Sequence, residues 1–172
     1  KKYTCNMMDV RIRALADFSM IPLLIVAGYG LLFKASKVGR YDRYVKVVMA
    51  GLTSYWLAKV IGNLWQPTDK RPFEHMGVDP GASYLGNAGF PSDHVLFAAF
   101  LTLAVWYVVR KPMWTLVMAL ITITIAVGRV LALVHSPLDV VGGAVIAVLG
   151  AVWYIDYAKS LFNTVLAKKS KK

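Results

Sequence analysis

The sequence predicts an all-α protein: a polytopic transmembrane bundle of five spans, with an N-terminal stretch that either forms an additional interfacial helix or extends the first span. Three observations predict it. The chain has 172 residues, 58% of them hydrophobic, and a mean hydropathy of +0.54, which is high for a soluble domain. Five apolar runs are long enough to cross about 30 Å of hydrocarbon as helices. The charged residues gather at the ends of those runs, as in integral membrane proteins. A chain of this length favours one domain, taken as residues 1–172.

The elements follow in order. Near the start, Met8, Ile12 and Leu15 share one helical face while Asp9, Arg13 and Asp17 share another, the pattern of a helix lying in a membrane surface. The first span covers 18–33; it has spanning length and no clear cleavage site, so no removable signal peptide is expected. The second covers 44–65 and carries Lys59 about two turns from its end. A loop rich in Gly, Pro and polar residues, 66–91, leads to the third span, 92–109. The fourth covers 113–133. Pro137 suits the first helical position of the fifth, 138–166. That last run is too long for a perpendicular span and holds Asp156 and Lys159, so its end is expected to project past the bilayer. The single cysteine, Cys5, excludes an intrachain disulfide and a cysteine-based metal site.

The net charge of +11 would suggest nucleic acid in a soluble protein. Here the basic residues flank the apolar runs, which points to membrane lipids with anionic headgroups and away from nucleic acid. Lys34, Lys37, Arg40, Arg43 and Lys46, then Arg110 and Lys111, then Lys168, Lys169, Lys171 and Lys172 fall on one side of a five-span bundle. Lys1, Lys2, Arg11, Arg13, Lys70 and Arg71 fall on the other. Eleven against six places the first side in the cytoplasm. The long loop then faces outward, together with three polar clusters.

The first cluster is Lys70-Arg71-Pro72-Phe73, with Lys59 behind it in the second span. Arginine offers a rigid fork of donors that matches phosphate oxygens; interfacial basic residues are also routine, and a membrane lysine can snorkel. The second cluster, Pro91-Ser92-Asp93-His94, opens the third span. Ser92 or Asp93 suits a helix cap, and the same helix start suits an anion. The third cluster places Arg129, His135 and Asp139 around the turn between the fourth and fifth spans. Ser136 and Asp139 have capping-box spacing. Asp139 is also spaced to orient the His135 ring, fixing its tautomer so that the other nitrogen can act as a nucleophile. His75, in the long loop, belongs to none of the clusters and is expected to face solvent or, at most, to contact a distal phosphate.

Together these clusters resemble the three signature motifs of the type-2 phosphatidic acid phosphatase superfamily, in order and at family spacing. The family pattern is Lys-x6-Arg-Pro, Pro-Ser-Gly-His and Ser-Arg-x5-His-x3-Asp. The sequence matches it at Arg71-Pro72, at Pro91, Ser92 and His94, and at Arg129, His135 and Asp139. It departs in three places: Leu64 stands seven before Arg71, Asp93 replaces the glycine, and Gly128 replaces the serine. Asp93 and the Arg-Pro-Phe run resemble the subgroup of bacitracin-resistance-type undecaprenyl pyrophosphate phosphatases. The family core has six helices against the five spans counted here.

The resemblance implies a membrane lipid phosphatase that works without metal or other cofactor. It implies His135 as nucleophile through a phosphohistidine, Asp139 as its orienting partner and His94 as acid and then base. Arg71, Arg129, Ser92 and either Lys59 or Lys70 would hold the phosphoryl oxygens, with Asp93 beside them. The expected substrate is a lipid phosphate in the cell membrane presented at the extracytoplasmic face. Undecaprenyl pyrophosphate leads, ahead of phosphatidylglycerol phosphate and phosphatidic acid. The competing expectation is a membrane transporter or scaffold that binds anionic lipid without chemistry.

Overall fold

The computed structural model describes residues 7–86 and 89–169, so Cys5, Lys1, Lys2, Lys171 and Lys172 lie outside it. Among the described residues there are helices and turns and no strand. The helices are α1 (Met7–Arg13), α2 (Met20–Tyr29), α3 (Arg40–Leu64), α4 (Pro72–Met76), α5 (Asp93–Val109), α6 (Pro112–Leu131), α7 (Pro137–Gly150) and α8 (Ile155–Lys169). Short π-helical segments, Ala14–Phe18 and Gly30–Lys34, join α1 to α2 and end α2; a 3-10 turn, Ala151–Tyr154, joins α7 to α8.

Four helical segments are long and apolar enough to cross a membrane: Val10–Lys34, Arg40–Leu64, Pro112–Leu131 and Pro137–Ser160. The fifth expected span is the shorter apolar helix Asp93–Val109, about 26 Å at 1.5 Å per residue. Its shortness has a reason in the packing. Helix α5 is the core of the bundle, burying ten side chains against α3, α6 and α7, from Val95 at one end to Val109 at the other. Encased by other helices, its ends need not reach the bilayer surfaces themselves. The outer helices turn their large side chains outward instead: Ile21 and Ile25 on α2, Leu52 and Trp56 on α3, Leu116 and Ile123 on α6, Val141 and Val148 on α7. In lipid such exposure is the favourable arrangement.

A separate surface helix at the N-terminus is not what forms. The chain runs from α1 through the π-helical segment into α2, so the start extends the first span. Ala16 in that segment is fully buried, and it lies directly on α6 at Gly128. A Cβ at Gly128 would come within 2.7 Å of the Ala16 nitrogen, so this approach depends on glycine.

The long loop is packed over one end of the bundle. The Phe73 N–H donates to the Leu133 carbonyl at 3.0 Å, and the Gly81 N–H donates to the Ala132 carbonyl at 3.0 Å. Phe73 and Ala82 from the loop, Ala132 and Val134 from the α6–α7 turn, and Ala16 form one buried apolar cluster. This sews the segment carrying Arg71 to the turn carrying His135.

Candidate active site

The α6–α7 turn is the foundation of the site. Leu133 adopts left-handed backbone (φ 58°), which a branched side chain rarely takes, and its carbonyl is held by Phe73. Ser136 then caps α7. Its Oγ accepts from the Asp139 N–H at 3.2 Å, and its own N–H donates to Asp139 Oδ2 at 2.7 Å, completing the capping box expected from the spacing. The same Oδ2 lies 3.6 Å from His135 Nδ1, with both side chains buried. The carboxylate that caps α7 therefore also stands beside the His135 ring, and its other oxygen, Oδ1, is buried without a hydrogen-bond partner among the described residues.

The second cluster is fixed against the third. Gln66 holds the entry to α5, donating from Nε2 to the Phe90 carbonyl (2.9 Å) and accepting the Phe90 N–H (3.2 Å). The Ser92 N–H donates to the Asp139 carbonyl at 3.0 Å, joining the starts of α5 and α7. Gly143 permits this: a Cβ there would sit 2.7 Å from the Ser92 carbonyl oxygen. Ser92 is the N-cap residue of α5, yet its hydroxyl makes no capping bond. The Oγ is fully buried and has no partner among the described residues, so of the two expected cap candidates, Ser92 and Asp93, the Ser92 hydroxyl does not cap. His94, half-buried in the first turn of α5, lies within electrostatic reach of Arg129, His135, Asp17 and Asp93.

Two buried arginines complete the group. Arg71 precedes α4 and donates from Nη1 to the Val134 carbonyl at 2.6 Å and from Nη2 to the Leu85 carbonyl at 3.1 Å, with its guanidinium 5.3 Å from the centre of the Tyr84 ring. Arg129, only 1% exposed, donates from Nη1 to Asp17 Oδ1 at 3.0 Å, and its Nε has no partner among the described residues. Burial holds the His135 imidazole below its ordinary range; Arg129 and Arg71 push the same way, against the raising effect of Asp139. At neutral pH the ring is therefore uncharged, the form in which a nitrogen lone pair is available.

The lysines separate. Lys70 is exposed and, with Arg71, Glu74 and Tyr84, lines a polar cavity of about 340 Å³. Gly89, also on its wall, brings the cavity to Asp139: a Cβ there would lie 3.6 Å from Asp139 Oδ2. Lys59 instead pairs with Asp93 at 3.5 Å, at the head of a second cavity of about 520 Å³ walled by Tyr55, Leu96, Phe97 and Phe100. His75 is exposed, as expected. Among the described residues, no three His, Cys, Asp or Glu side chains are grouped to hold a metal ion.

The sequence reading missed Asp17 and Gln66 as parts of this assembly. Asp17 left a signal, a carboxylate beside an apolar run; Gln66 left none.

The arrangement thus brings a buried neutral imidazole, a carboxylate, a second histidine, a hydroxyl and two guanidinium groups to one end of a membrane-type bundle. Comparison with curated proteins and with solved structures returned no match. A family model, that of the PAP2 superfamily, matches residues 43–162, a stretch that contains all three clusters. With well over half its length in that match, the chain belongs to the PAP2 superfamily.

Proposed function

We propose that the protein is an integral membrane lipid phosphatase that removes the terminal phosphate of a lipid (pyro)phosphate through a phosphohistidine at His135. The observation that carries this reading is a set of buried polar atoms that have no hydrogen-bond partner among the described residues: Ser92 Oγ, Arg129 Nε, His135 Nδ1 and Asp139 Oδ1. Unpaired buried polar groups are costly. Ser92 Oγ and Arg129 Nε, donors from two sequence-distant clusters beside Arg71, suit an anion that would satisfy them, while His135 Nδ1 and the Asp139 carboxylate face each other.

In the first step, the His135 Nε2 lone pair attacks phosphorus, and the bond to the leaving oxygen breaks as His94 gives that oxygen its proton. Asp139 accepts the Nδ1–H and balances the charge that develops on the ring. The separation of 3.6 Å is of the kind that tightens when substrate binds. In the second step His94 takes a proton from water, the water oxygen attacks phosphorus, and the N–P bond breaks to release phosphate. Arg71, Arg129 and Ser92 hold the three non-bridging oxygens, with Lys70 at the polar mouth. Positioning and charge stabilisation of this kind supply most of what phosphoryl transfer requires. None of these steps draws on a metal.

Undecaprenyl pyrophosphate is the favoured substrate. Asp93 and the Arg-Pro-Phe run support it, and the apolar cavity headed by Lys59 and Asp93 offers a wall for a hydrocarbon chain. The excess of basic residues at the opposite end of the bundle supports an extracytoplasmic site. Phosphate release from a panel of prenyl and glycerolipid phosphates, in detergent with a chelator present, tests the whole reading. Release is expected, greatest with undecaprenyl pyrophosphate. Lipid binding with no release from any member would favour a non-catalytic lipid-binding protein.

A further inference from the structure

Asp17 lies outside the matched residues 43–162, inside the first span, and yet it touches the machinery of both arginines. Its Oδ1 accepts from Arg129 Nη1 and its Oδ2 accepts from the Ser83 N–H, each at 3.0 Å. The next two residues after Ser83 are Tyr84, whose ring faces the Arg71 guanidinium, and Leu85, whose carbonyl accepts from Arg71 Nη2. One carboxylate therefore grips Arg129 directly and anchors the short segment against which Arg71 rests. Gly128 enforces the grip, because a Cβ there would lie 2.7 Å from the Ala16 nitrogen and 2.8 Å from the Leu15 carbonyl carbon. Any side chain at 128 would press the segment bearing Asp17 away from Arg129. A carboxylate within an apolar span calls for a reason of its own. The unpartnered Nε of Arg129 supplies one: Asp17 takes Nη1 and leaves the Nε edge, which suits phosphate oxygens.

We infer that Asp17 is the resident counter-anion of the phosphate site, a positioning residue that orients Arg129 and limits how tightly inorganic phosphate is retained. Its role in turnover rests on the phosphatase reading above; its role in anion binding does not. Two effects oppose each other. Orienting Arg129 favours the bound anion, while the Asp17 charge repels it. For charges this close in a part-buried site, the Coulombic effect outweighs the change from a charged to a neutral hydrogen bond. Removing the charge therefore tightens phosphate binding, and product leaves more slowly.

The test is calorimetric titration of inorganic phosphate into the full chain in detergent, for the parent and for Asp17→Asn, alongside steady-state kinetics. The phosphate Kd of the variant is expected to fall about tenfold, with KM and kcat falling together. A merely structural role would weaken binding, so an unchanged or higher Kd overturns the inference. Should Asp17→Asn fail to fold, Asp17→Ser removes the same charge, leaves Gly128 and the packing of the segment in place, and carries the same expectation of tighter binding, overturned in the same way. Parent protein that binds phosphate but releases none from any lipid refutes the phosphatase reading and leaves the Asp17 comparison readable. Parent protein that binds no phosphate refutes both.

Discussion

The two ends of the bundle both gather arginines, and they use them differently. At the end carrying the basic loops, Arg40 donates to the Leu32 and Ala35 carbonyls, Arg43 is buried against Ser36, and Arg110 lies 4.4 Å from the centre of the Tyr157 ring. Lys46 there sits between exposed carboxylates, Asp42 at 3.6 Å and Asp156 at 3.8 Å. Among the described residues, the atoms buried without partners at that end are the Nε of Arg40, the Nε of Arg43 and the Tyr154 hydroxyl. No histidine lies among them. At the other end the unpartnered atoms belong to a guanidinium, a hydroxyl, an imidazole and a carboxylate. Cation density therefore marks neither end as a site. Unpartnered buried atoms occur at both ends; what distinguishes the second is a buried carboxylate and an imidazole beside two buried guanidinium groups. The first end satisfies helix-terminal carbonyls and suits contact with headgroups.

Substitutions at matched positions can break that distinction. His94→Gln is expected to lower kcat by about a thousandfold, as loss of a general acid does, while the protein still extracts and melts like the parent. A fall of less than about tenfold would remove His94 from proton transfer. Arg129→Lys keeps the charge and loses the fork, so kcat/KM should fall about a hundredfold. At the opposite end Arg110→Lys should leave it within about twofold, since a rim cation contributes little. Equal losses in the two variants would erase the difference between the ends. Ser136→Ala removes half of a capping box and should destabilise by about 1 kcal/mol in denaturant or thermal unfolding. It should cost activity as well, because the same box fixes Asp139; intact activity would show that Asp139 is held by other contacts.

The smallest effect is a titration. A histidine whose pKa is lowered by burial stays neutral as pH falls, and gains its proton only below the ordinary histidine range. Nitrogen-15 NMR of labelled histidine, with the resonance assigned by His135→Gln, should show His135 titrating below the ordinary histidine range. Titration above that range would mean that Asp139, and not burial, governs the ring.

Much of this was legible in the sequence because hydrophobic runs and short motifs are local. The spans were read from run length, and the capping box at Ser136 and Asp139 from spacing of three. What was not legible depends on contacts between distant parts of the chain. Asp17 meets Arg129 across 112 positions, and no local pattern separates a span-extending helix from a surface one. Ser92 shows the limit of a propensity argument: it stands at the N-cap as expected, but its hydroxyl makes no cap bond. The first cluster was ambiguous for a similar reason. Lys59 and Lys70 are both near Arg71 in sequence, and only packing sends one to the apolar cavity beside Asp93 and the other to the polar cavity beside Arg71.

Covalent catalysis by His135 can be caught by rapid quenching during turnover of a lipid phosphate radiolabelled in its terminal phosphoryl group. The expected result is label on the peptide containing His135, stable in base and lost in acid, and absent from His135→Gln. Turnover that proceeds with no labelled protein, or with label that survives in His135→Gln, would contradict it.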